Sequence, residues 1–247
     1  MPDRAPAAPL PTDLSVRRRR LVVTDVDSTF LTQEVIELIA EHAGTRDEVA
    51  AATERAMRGE LDFAASLRER VATLAGVPVS ALDAVREAVV LTPGAAELVA
   101  EVHRRGWEFG LVSGGFAEIL APLAAAHGIT RWRANELEVT DGVLTGRTVG
   151  PVVDRAYKEV TLREWASELG LDMADTVAVG DGANDLDMIG AAGIGIAFAA
   201  KPLVRAEAPY SIDGPRLDEV LQIIDDVELG ERHARPATDG AEDTLSR

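Results

Sequence analysis

A short apolar run that ends in two aspartates is the feature that most constrains this chain. The run Leu21–Val26 predicts a buried strand, and Asp25 and Asp27 stand two positions apart where that strand enters a turn. Two carboxylates held this close repel each other unless positive charge lies between them. The pattern therefore indicates a site for a metal ion, a phosphoryl group or both.

Apolar strands alternate with helical patterns along most of the chain. Strands are predicted at Leu21–Val26, Trp107–Val112, Thr176–Gly180 and Ile194–Phe198. Helices are predicted at Thr92–Arg105, Ala117–His127, Arg155–Leu169, Ala183–Ala192, Pro202–Ala208 and Leu217–Ile224. This alternation predicts an α/β fold with a parallel sheet and helices on both faces. The dipeptide Asp141-Gly142 adds a β-hairpin over Glu136–Val149.

The stretch from Gln33 to Val90 interrupts the alternation with about four helical patterns and no strand. Because it follows the first strand directly, we expect residues 34–90 to form a helical-bundle cap over the two aspartates. A helical subdomain without a role in the site is the alternative. Residues 20–33 and 91–228 would then form the core. Residues 1–19 are predicted to be a flexible arm and residues 229–247 a flexible tail.

Composition limits the partners of the chain. A formal net charge of −17 argues against binding to nucleic acid or to anionic membranes. The absence of cysteine excludes zinc-thiolate sites and thiol catalysis. No apolar stretch approaches the ~20 residues of a membrane span. Only three apolar residues follow the block Arg17–Arg20, which is too few for a secretion or twin-arginine leader, so we expect a cytoplasmic protein. We expect a monomer or a homodimer.

Acidic residues recur at the predicted strand ends. Asp25, Ser113 and Asp181 each follow an apolar strand, and parallel sheets bind ligands beyond those ends. The carboxylates of Asp25 and Asp181, with the Asp27 carbonyl, offer the hard oxygen ligands that Mg²⁺ prefers. A solvated loop is the alternative for either segment alone. Two such segments at strand ends favour the metal site.

The spacing of Asp25 and Asp27 suits phosphoryl transfer in two steps. An ionised Asp25 can attack phosphorus, while Asp27 can protonate the leaving alkoxide and later accept a proton from water. The hydroxyl of Thr29 either orients Asp27 or bonds the local backbone.

Positive charge for an anionic substrate is scarce in this acidic chain. Ser113-Gly114-Gly115 precedes a predicted helix, where free N–H groups attract an anion. Lys158, one of two lysines in the chain, could neutralise phosphate and nucleophile. An ordinary loop and a solvated helix face are the respective alternatives.

Four segments together carry a resemblance to a known family. They are Asp25-Val-Asp-Ser-Thr29, Ser113-Gly-Gly115, Lys158 and Gly180-Asp-Gly-Ala-Asn-Asp185. They resemble the four motifs of haloacid dehalogenase-like (HAD) phosphatases, and the similarity is closer still to the phosphoserine phosphatases. The resemblance covers Leu21 to Asp226. It implies an HAD-like Rossmannoid fold and a Mg²⁺-dependent hydrolysis of O-phospho-L-serine to serine and phosphate, the final step of serine biosynthesis.

The resemblance also implies roles for the core residues. Asp25 would be the nucleophile and Asp27 the general acid and base. Mg²⁺ would be held by Asp25, the Asp27 carbonyl and Asp181, with Asp185 as support. Phosphate and substrate contacts would come from Ser113, Gly114, Lys158 and Asn184.

In the cap, the resemblance implies that Glu34 pairs with the substrate ammonium and Arg70 with its carboxylate. A zwitterion needs one anion and one bidentate cation, so this pairing is physically consistent. Met57 and Phe63 match positions that shield the site. Read without the resemblance, Glu34 is a residue at a helix N-terminus, Arg70 is a solvated charge, and Met57 and Phe63 are cap core.

Alternatives of two kinds remain open. A related capped enzyme could act on another small phosphomonoester or transfer phosphate to homoserine. A phospho-receiver signalling domain also uses a strand-end aspartate, acidic metal ligands and a lysine. Receivers keep the phosphoryl group, whereas Asp27 is placed to discharge it, and a receiver has no helical insertion. No amino-acid-sensing domain is evident, so feedback by serine through one is not expected.

Overall fold

A parallel-dominated sheet organises the molecule in a computed structural model that describes residues 18–234. Within that range the sheet has seven strands in the order β4-β3-β2-β1-β5-β6-β7, and β3 and β4 form its antiparallel pair. The strands are β1 (Leu21–Thr24), β2 (Glu108–Phe116), β3 (Arg131–Thr140), β4 (Val143–Val149), β5 (Thr176–Gly180), β6 (Ile194–Phe198) and β7 (Tyr210–Ile212). The predicted α/β fold with a β-hairpin is confirmed.

Helices cover both faces of this sheet. The described helices are α1 (Val35–Ala43), α2 (Arg46–Met57), α3 (Phe63–Ala72), α4 (Ala81–Ala88), α5 (Ala95–Arg104), α6 (Ala117–Ala126), α7 (Arg155–Glu168), α8 (Leu186–Ala191), α9 (Pro202–Glu207) and α10 (Val220–Ala234). In β1, Val22 packs into the cluster that holds Leu98 of α5, while Leu21 and Val23 pack into the one that holds Trp165 of α7. Because β1 is buried on both faces, it reads as a continuous apolar run.

Helices α1–α4, which we call the helical insert, lie between β1 and α5 in sequence. Their connections to the sheet form an isolated bridge between Leu31 and Leu91. The hairpin reaches the insert as well, because Leu144 exchanges main-chain hydrogen bonds of 2.8 Å with Gly76 and Val77. The insert is thus attached at its connections and along β4. Its assignment as a separate cap over residues 34–90 stays a prediction.

Some element boundaries differ from those predicted. β2 continues through Ser113–Gly115 to Phe116, with a register shift against β3 after Val112. The partner strand β3 starts at Arg131 rather than Glu136. The short strand β7 was not predicted because three residues are too few to show a period.

The end of the chain differs as well. A 3-10 turn at Leu217–Glu219 precedes α10, which extends to Ala234. The arm predicted over 1–19 and the tail predicted over 229–247 fall largely outside the described residues. No helix between residues 18 and 234 has the length and apolar character that a membrane span requires.

The hairpin offers a test of its packing against the insert. Gly142 and Gly146 have similar positive φ angles of 78° and 80°, but a Cβ on Gly142 meets open space, whereas one on Gly146 would lie 3.0 Å from the Ala72 carbonyl oxygen and the Ala75 Cβ. We expect Gly142→Ala to cost about 1 kcal/mol of unfolding free energy through backbone strain alone. Gly146→Ala should cost about 1–3 kcal/mol more through overpacking. Urea denaturation measures both losses, and equal losses would contradict the packing role of Gly146.

Candidate active site

The site lies where three neighbouring parallel strands end. Asp25 follows β1 and Asp181 follows β5, while Ser113 lies near the end of β2. The main-chain N–H of Asp25 donates to the Val179 carbonyl at 2.8 Å, which continues the β1–β5 ladder into the site. The predicted convergence of these three residues is therefore present in the structure.

Lys158 of α7 joins two carboxylates beneath this edge. Its Nζ donates to Asp25 Oδ1 and to Asp185 Oδ1, each at 2.6 Å, and its side chain is fully buried. Burial alone would lower the pKa of Lys158, but Asp185 and Asp25 raise it above its usual value. Burial and the charge of Asp185 raise the pKa of Asp25 well above its ordinary range, and Lys158 opposes that shift. Lys158 thus stabilises the ionised form of Asp25.

Asp185 supports the turn after β5. Its Oδ2 accepts hydrogen bonds from the main-chain N–H groups of Asp181 at 3.1 Å and Gly182 at 3.0 Å. Both of its oxygens therefore have partners within the protein. The role of Asp185 as support for a metal ion stays a prediction.

Three buried carboxylates form a cluster that can hold a cation. Asp25, Asp181 and Asp185 each place an oxygen within 4.8 Å of the others. Among the described residues, Lys158 is the ammonium bonded to this cluster, and it contacts Asp25 and Asp185 only. Burial, followed by the charge of Asp25, raises the pKa of Asp181 well above its usual value. Hard oxygen donors with excess negative charge fit a divalent cation such as Mg²⁺.

Asp27 is held on both of its oxygens. Oδ1 accepts the main-chain N–H of Val35 at 2.7 Å, and Oδ2 accepts the hydroxyl of Ser113 at 2.9 Å. Burial raises the pKa of Asp27, and these two hydrogen bonds oppose the shift. One of the two predictions for Thr29, that its hydroxyl orients Asp27, is wrong. Its hydroxyl faces Asp181 Oδ1 at 3.4 Å, because the turn after β1 directs it toward β5.

The Ser113–Gly115 segment is held by a residue that sequence reasoning missed. Asn135 of β3 donates from Nδ2 to the Gly114 carbonyl at 2.8 Å and accepts the Val153 N–H on Oδ1 at 2.9 Å. Asn135 therefore links this segment to Val153, which shortly precedes α7, the helix that carries Lys158. The sequence carries no clear signal for this role, because Asn135 lies among other polar residues of β3, such as Arg133 and Glu136.

A cavity opens beside the carboxylates of Asp25 and Asp27. Its lining comprises Asp25, Asp27, Glu34, Ile36, Met57, Phe63, Leu67, Arg70, Gly114, Gly115 and Asn184. Residues of the core and of the helical insert both contribute to this lining. Ile36 and Leu67 were not predicted, since apolar helix residues carry no sign of a binding role. The buried Oδ1 of Asn184 has no hydrogen-bond partner, which leaves it available to a ligand.

Glu34 provides a negative group at the insert side of the cavity. The Ser28 hydroxyl, on a residue with φ of 57°, donates to Glu34 Oε1 at 2.6 Å. Burial raises the pKa of Glu34 to about 7, the charge of Asp27 adds to the shift, and the Ser28 hydrogen bond opposes it. Glu34 therefore changes charge close to neutral pH.

Arg70 provides the positive group. It is 4% exposed, and burial lowers its pKa. Its Nε donates to the Ser66 carbonyl at 3.2 Å and its Nη1 to the Thr53 hydroxyl at 2.9 Å. Nη2 is buried without a partner. Because Arg70 also lines the cavity, this nitrogen is available to an anionic ligand.

Comparison with known proteins identifies the family. Residues 22–189 match the family model described as haloacid dehalogenase-like hydrolase, so the chain belongs to that family. It is 54% identical to the phosphoserine phosphatase of Streptococcus thermophilus, covering 84% of this chain and 96% of the relative. It is 53% identical to phosphoserine phosphatase SerB2 of Mycobacterium tuberculosis over 92% of this chain, but spans only 55% of that relative's length.

Solved structures agree with this placement. One described as a phospho-aspartyl intermediate analogue of phosphoserine phosphatase matches with a TM-score of 0.81 and 38% identity, covering 83% of this chain and 99% of its own. A substrate-bound phosphoserine phosphatase complex gives the same TM-score and identity. Within the hydrolase family, the relatives of this chain are thus phosphoserine phosphatases, and the resemblance predicted from its motifs is confirmed.

The carboxylate cluster predicts a metal-dependent change in stability. We expect saturating Mg²⁺ to raise the unfolding free energy, by about 2.7 kcal/mol at a hundredfold excess over its dissociation constant. Asp181→Asn should abolish that rise because one ligand and one charge are lost. It should also stabilise the metal-free protein at pH 7, since burial and the charge of Asp25 both disfavour the ionised form of Asp181. Thermal unfolding with Mg²⁺ or EDTA measures both effects.

The matched control is Asp172→Asn, which changes an exposed carboxylate that caps no helix with its side chain. It should keep the full response to Mg²⁺. An Asp181→Asn variant that is stabilised by Mg²⁺ as strongly as the unmodified protein would rule out this metal site.

Proposed function

We propose that this chain hydrolyses O-phospho-L-serine to L-serine and phosphate, the final step of serine biosynthesis. The observation that carries the proposal is the composition of the cavity. The core contributes Asp25 and Asp27, and the helical insert and its connection contribute Arg70 and Glu34. A phosphorylated amino acid carries one group for each partner: a phosphoryl group, an ammonium and a carboxylate.

In the first step, the Asp25 carboxylate attacks phosphorus. A bond forms between phosphorus and the Asp25 oxygen while the bond between phosphorus and the serine oxygen breaks. Asp27 transfers its proton to the departing serine oxygen, and its raised pKa favours the protonated form that this role requires. The product is serine, with phosphate esterified to Asp25.

In the second step, water attacks the phosphorus of the aspartyl phosphate. Asp27, now ionised, accepts a proton from that water, and the bond between phosphorus and the Asp25 oxygen breaks. Asp25 returns to its carboxylate form beside Lys158, and phosphate leaves. Because the Val35 N–H and the Ser113 hydroxyl hold both oxygens of Asp27, the same carboxyl group is placed to act in both steps.

Magnesium would be held by Asp25, the Asp27 main-chain carbonyl and Asp181, and would supply positive charge against the phosphoryl oxygens. Ser113, Gly114 and Lys158 are the proposed protein contacts of the phosphoryl group. Asn184, with its unpartnered Oδ1, is the proposed contact beside them.

The helical insert is proposed to recognise the amino acid. Glu34 pairs with the ammonium, and Arg70 pairs with the carboxylate through the N–H groups that have no protein partner. Met57 and Phe63 shield the reaction from water. The location in the cytoplasm and the choice between monomer and homodimer stay predictions from the sequence.

The proposal predicts repeated release of phosphate from O-phospho-L-serine, which EDTA stops. Asp25→Asn should lower kcat by roughly 10⁴-fold or more, because no carboxylate remains to attack phosphorus. Asp187→Asn, a change at a half-exposed carboxylate paired with Arg155, should keep full activity. Phosphate release by a coupled assay measures turnover, and intact mass shows whether the introduced asparagine has deamidated.

Other outcomes of the same assay identify the alternatives. Brisk turnover by intact Asp25→Asn would refute the nucleophile. One long-lived acyl phosphate per chain would indicate a receiver. Formation of phosphohomoserine in place of phosphate when homoserine is added would indicate a transferase, and faster turnover of phosphothreonine or phosphocholine would indicate another substrate.

The raised pKa of Glu34 predicts that replacing this residue lowers activity toward phosphoserine in a pH-dependent way. Because the pKa of Glu34 lies at about 7, its carboxylate is mostly ionised at pH 8 and mostly protonated at pH 5.5. We expect Glu34→Gln to lower kcat/KM for phosphoserine about 10–100-fold at pH 8, through loss of a charge-assisted hydrogen bond. The difference from the unmodified enzyme should shrink toward pH 5.5, where both carry a neutral side chain.

Phosphoglycolate, which has no ammonium, serves as the control substrate. The Glu34→Gln enzyme should use it no less well than the unmodified enzyme at either pH. A loss for phosphoserine that is equal at pH 5.5 and pH 8 would contradict the charge-based role of Glu34.

A further inference from the structure

The guanidinium of Arg70 is fixed by contacts that come from two helices. Within α3, the Ser66 carbonyl accepts from Nε at 3.2 Å, and the Phe63 ring centroid lies 5.9 Å from Cζ. From α2, the Thr53 hydroxyl accepts from Nη1 at 2.9 Å. The contact with Thr53 is the one that crosses between helices. It decides how the guanidinium is oriented relative to the rest of the insert.

The remaining donors of Arg70 are those that a carboxylate needs. A guanidinium has five N–H groups. Nε–H and one N–H of Nη1 are used within the protein, while Nη2 is buried and has no partner. The fork formed by Nη2 and the second N–H of Nη1 therefore stays available for bidentate binding.

Thr53 has no other evident reason to be polar. It is 2% exposed on a face of α2 whose other buried members are Val49, Ala56 and Met57. A buried hydroxyl without a partner costs free energy, and the hydrogen bond with Arg70 removes that cost. Valine has nearly the same shape and would pack at this position without a polar atom. The hydrogen bond with Arg70 therefore explains why a polar residue stands at this position.

We propose that Thr53 is a positioning residue that determines selectivity for a substrate carboxylate. Its hydroxyl holds the Arg70 guanidinium so that the free fork meets the carboxylate of the phosphorylated amino acid. This inference rests on the proposed function and adds to it the residue that orients the carboxylate clamp. Without Thr53, Arg70 keeps its charge but loses its fixed orientation, so binding weakens only for ligands that use the fork.

The test compares two substrates that differ in the carboxylate alone. O-Phospho-L-serine has the phosphoryl group, the ammonium and the carboxylate, and O-phosphoethanolamine lacks only the carboxylate. If turnover of phosphoethanolamine is too slow, its inhibition constant against phosphoserine replaces KM. We expect Thr53→Val to raise KM for phosphoserine about tenfold or more, with kcat changed little, because the loss of a hydrogen bond to a charged group is of this size. The constant for phosphoethanolamine should stay unchanged.

Two further variants separate positioning from structure. Thr53→Ser keeps the hydroxyl and should restore the KM for phosphoserine. Thr73→Val is the matched control, since the Thr73 hydroxyl donates to the main-chain carbonyl of Arg70 at 2.7 Å and does not bond the guanidinium. It should leave the ratio of the two constants unchanged. Thermal unfolding checks folding, and Thr53→Ala replaces Thr53→Val if the valine variant does not fold.

The outcomes distinguish this inference from the proposed function. If the unmodified enzyme does not prefer phosphoserine to phosphoethanolamine, the proposed substrate is wrong, and with it the carboxylate that Thr53 serves. If the unmodified enzyme prefers phosphoserine and Thr53→Val keeps that preference, only the positioning role is refuted. Equal weakening for both ligands, or failure of Thr53→Ser to restore KM, would likewise show that Thr53 is merely structural.

Discussion

The buried ammonium of Lys158 is the interaction on which the site depends. It lies between Asp25 and Asp185, with all three side chains almost completely buried. Removing one partner from such a group leaves an uncompensated charge and typically costs about 3–5 kcal/mol. Lys158 therefore fastens α7 to the loops after β1 and β5. The same contact stabilises the carboxylate form of Asp25, which is the form that the proposed attack on phosphorus requires.

Around the helical insert, by contrast, two groups of opposite charge are kept apart. Among the described residues no ion pair joins Glu34 and Arg70, although each acts on the pKa of the other. Each charged group is instead bonded to a hydroxyl, that of Ser28 for Glu34 and that of Thr53 for Arg70. Neutral partners fix orientation without satisfying charge. The proposed ligand, a phosphorylated amino acid, would supply the opposite charge to each group. Burial raises the pKa of Glu34.

The parts predicted from the sequence are those with a local cause. Asp25 and Asp181 were identified because each directly follows a short apolar run, and the hairpin because Asp141-Gly142 is a strong turn signal. The contact between Thr53 and Arg70 has no such cause, since it joins two helices whose packing is decided by the whole insert. Asn135 is similar: its amide bonds two segments that meet only once the sheet has formed.

Two glycines of the site lie directly against side chains of the helical insert. From sequence, Gly114 was expected to let an anion approach the backbone. A Cβ there would also lie 2.6 Å from Phe63 Cζ, and one on Gly182 would lie 2.7 Å from Met57 Sδ. Both obstructing atoms belong to the helical insert, whereas Gly114 belongs to β2 and Gly182 to the loop after β5. A side chain at either position would collide with these insert side chains unless they moved. The insert therefore lies directly against the segments proposed to hold the phosphoryl group, and it also carries Arg70, the proposed contact of the substrate carboxylate.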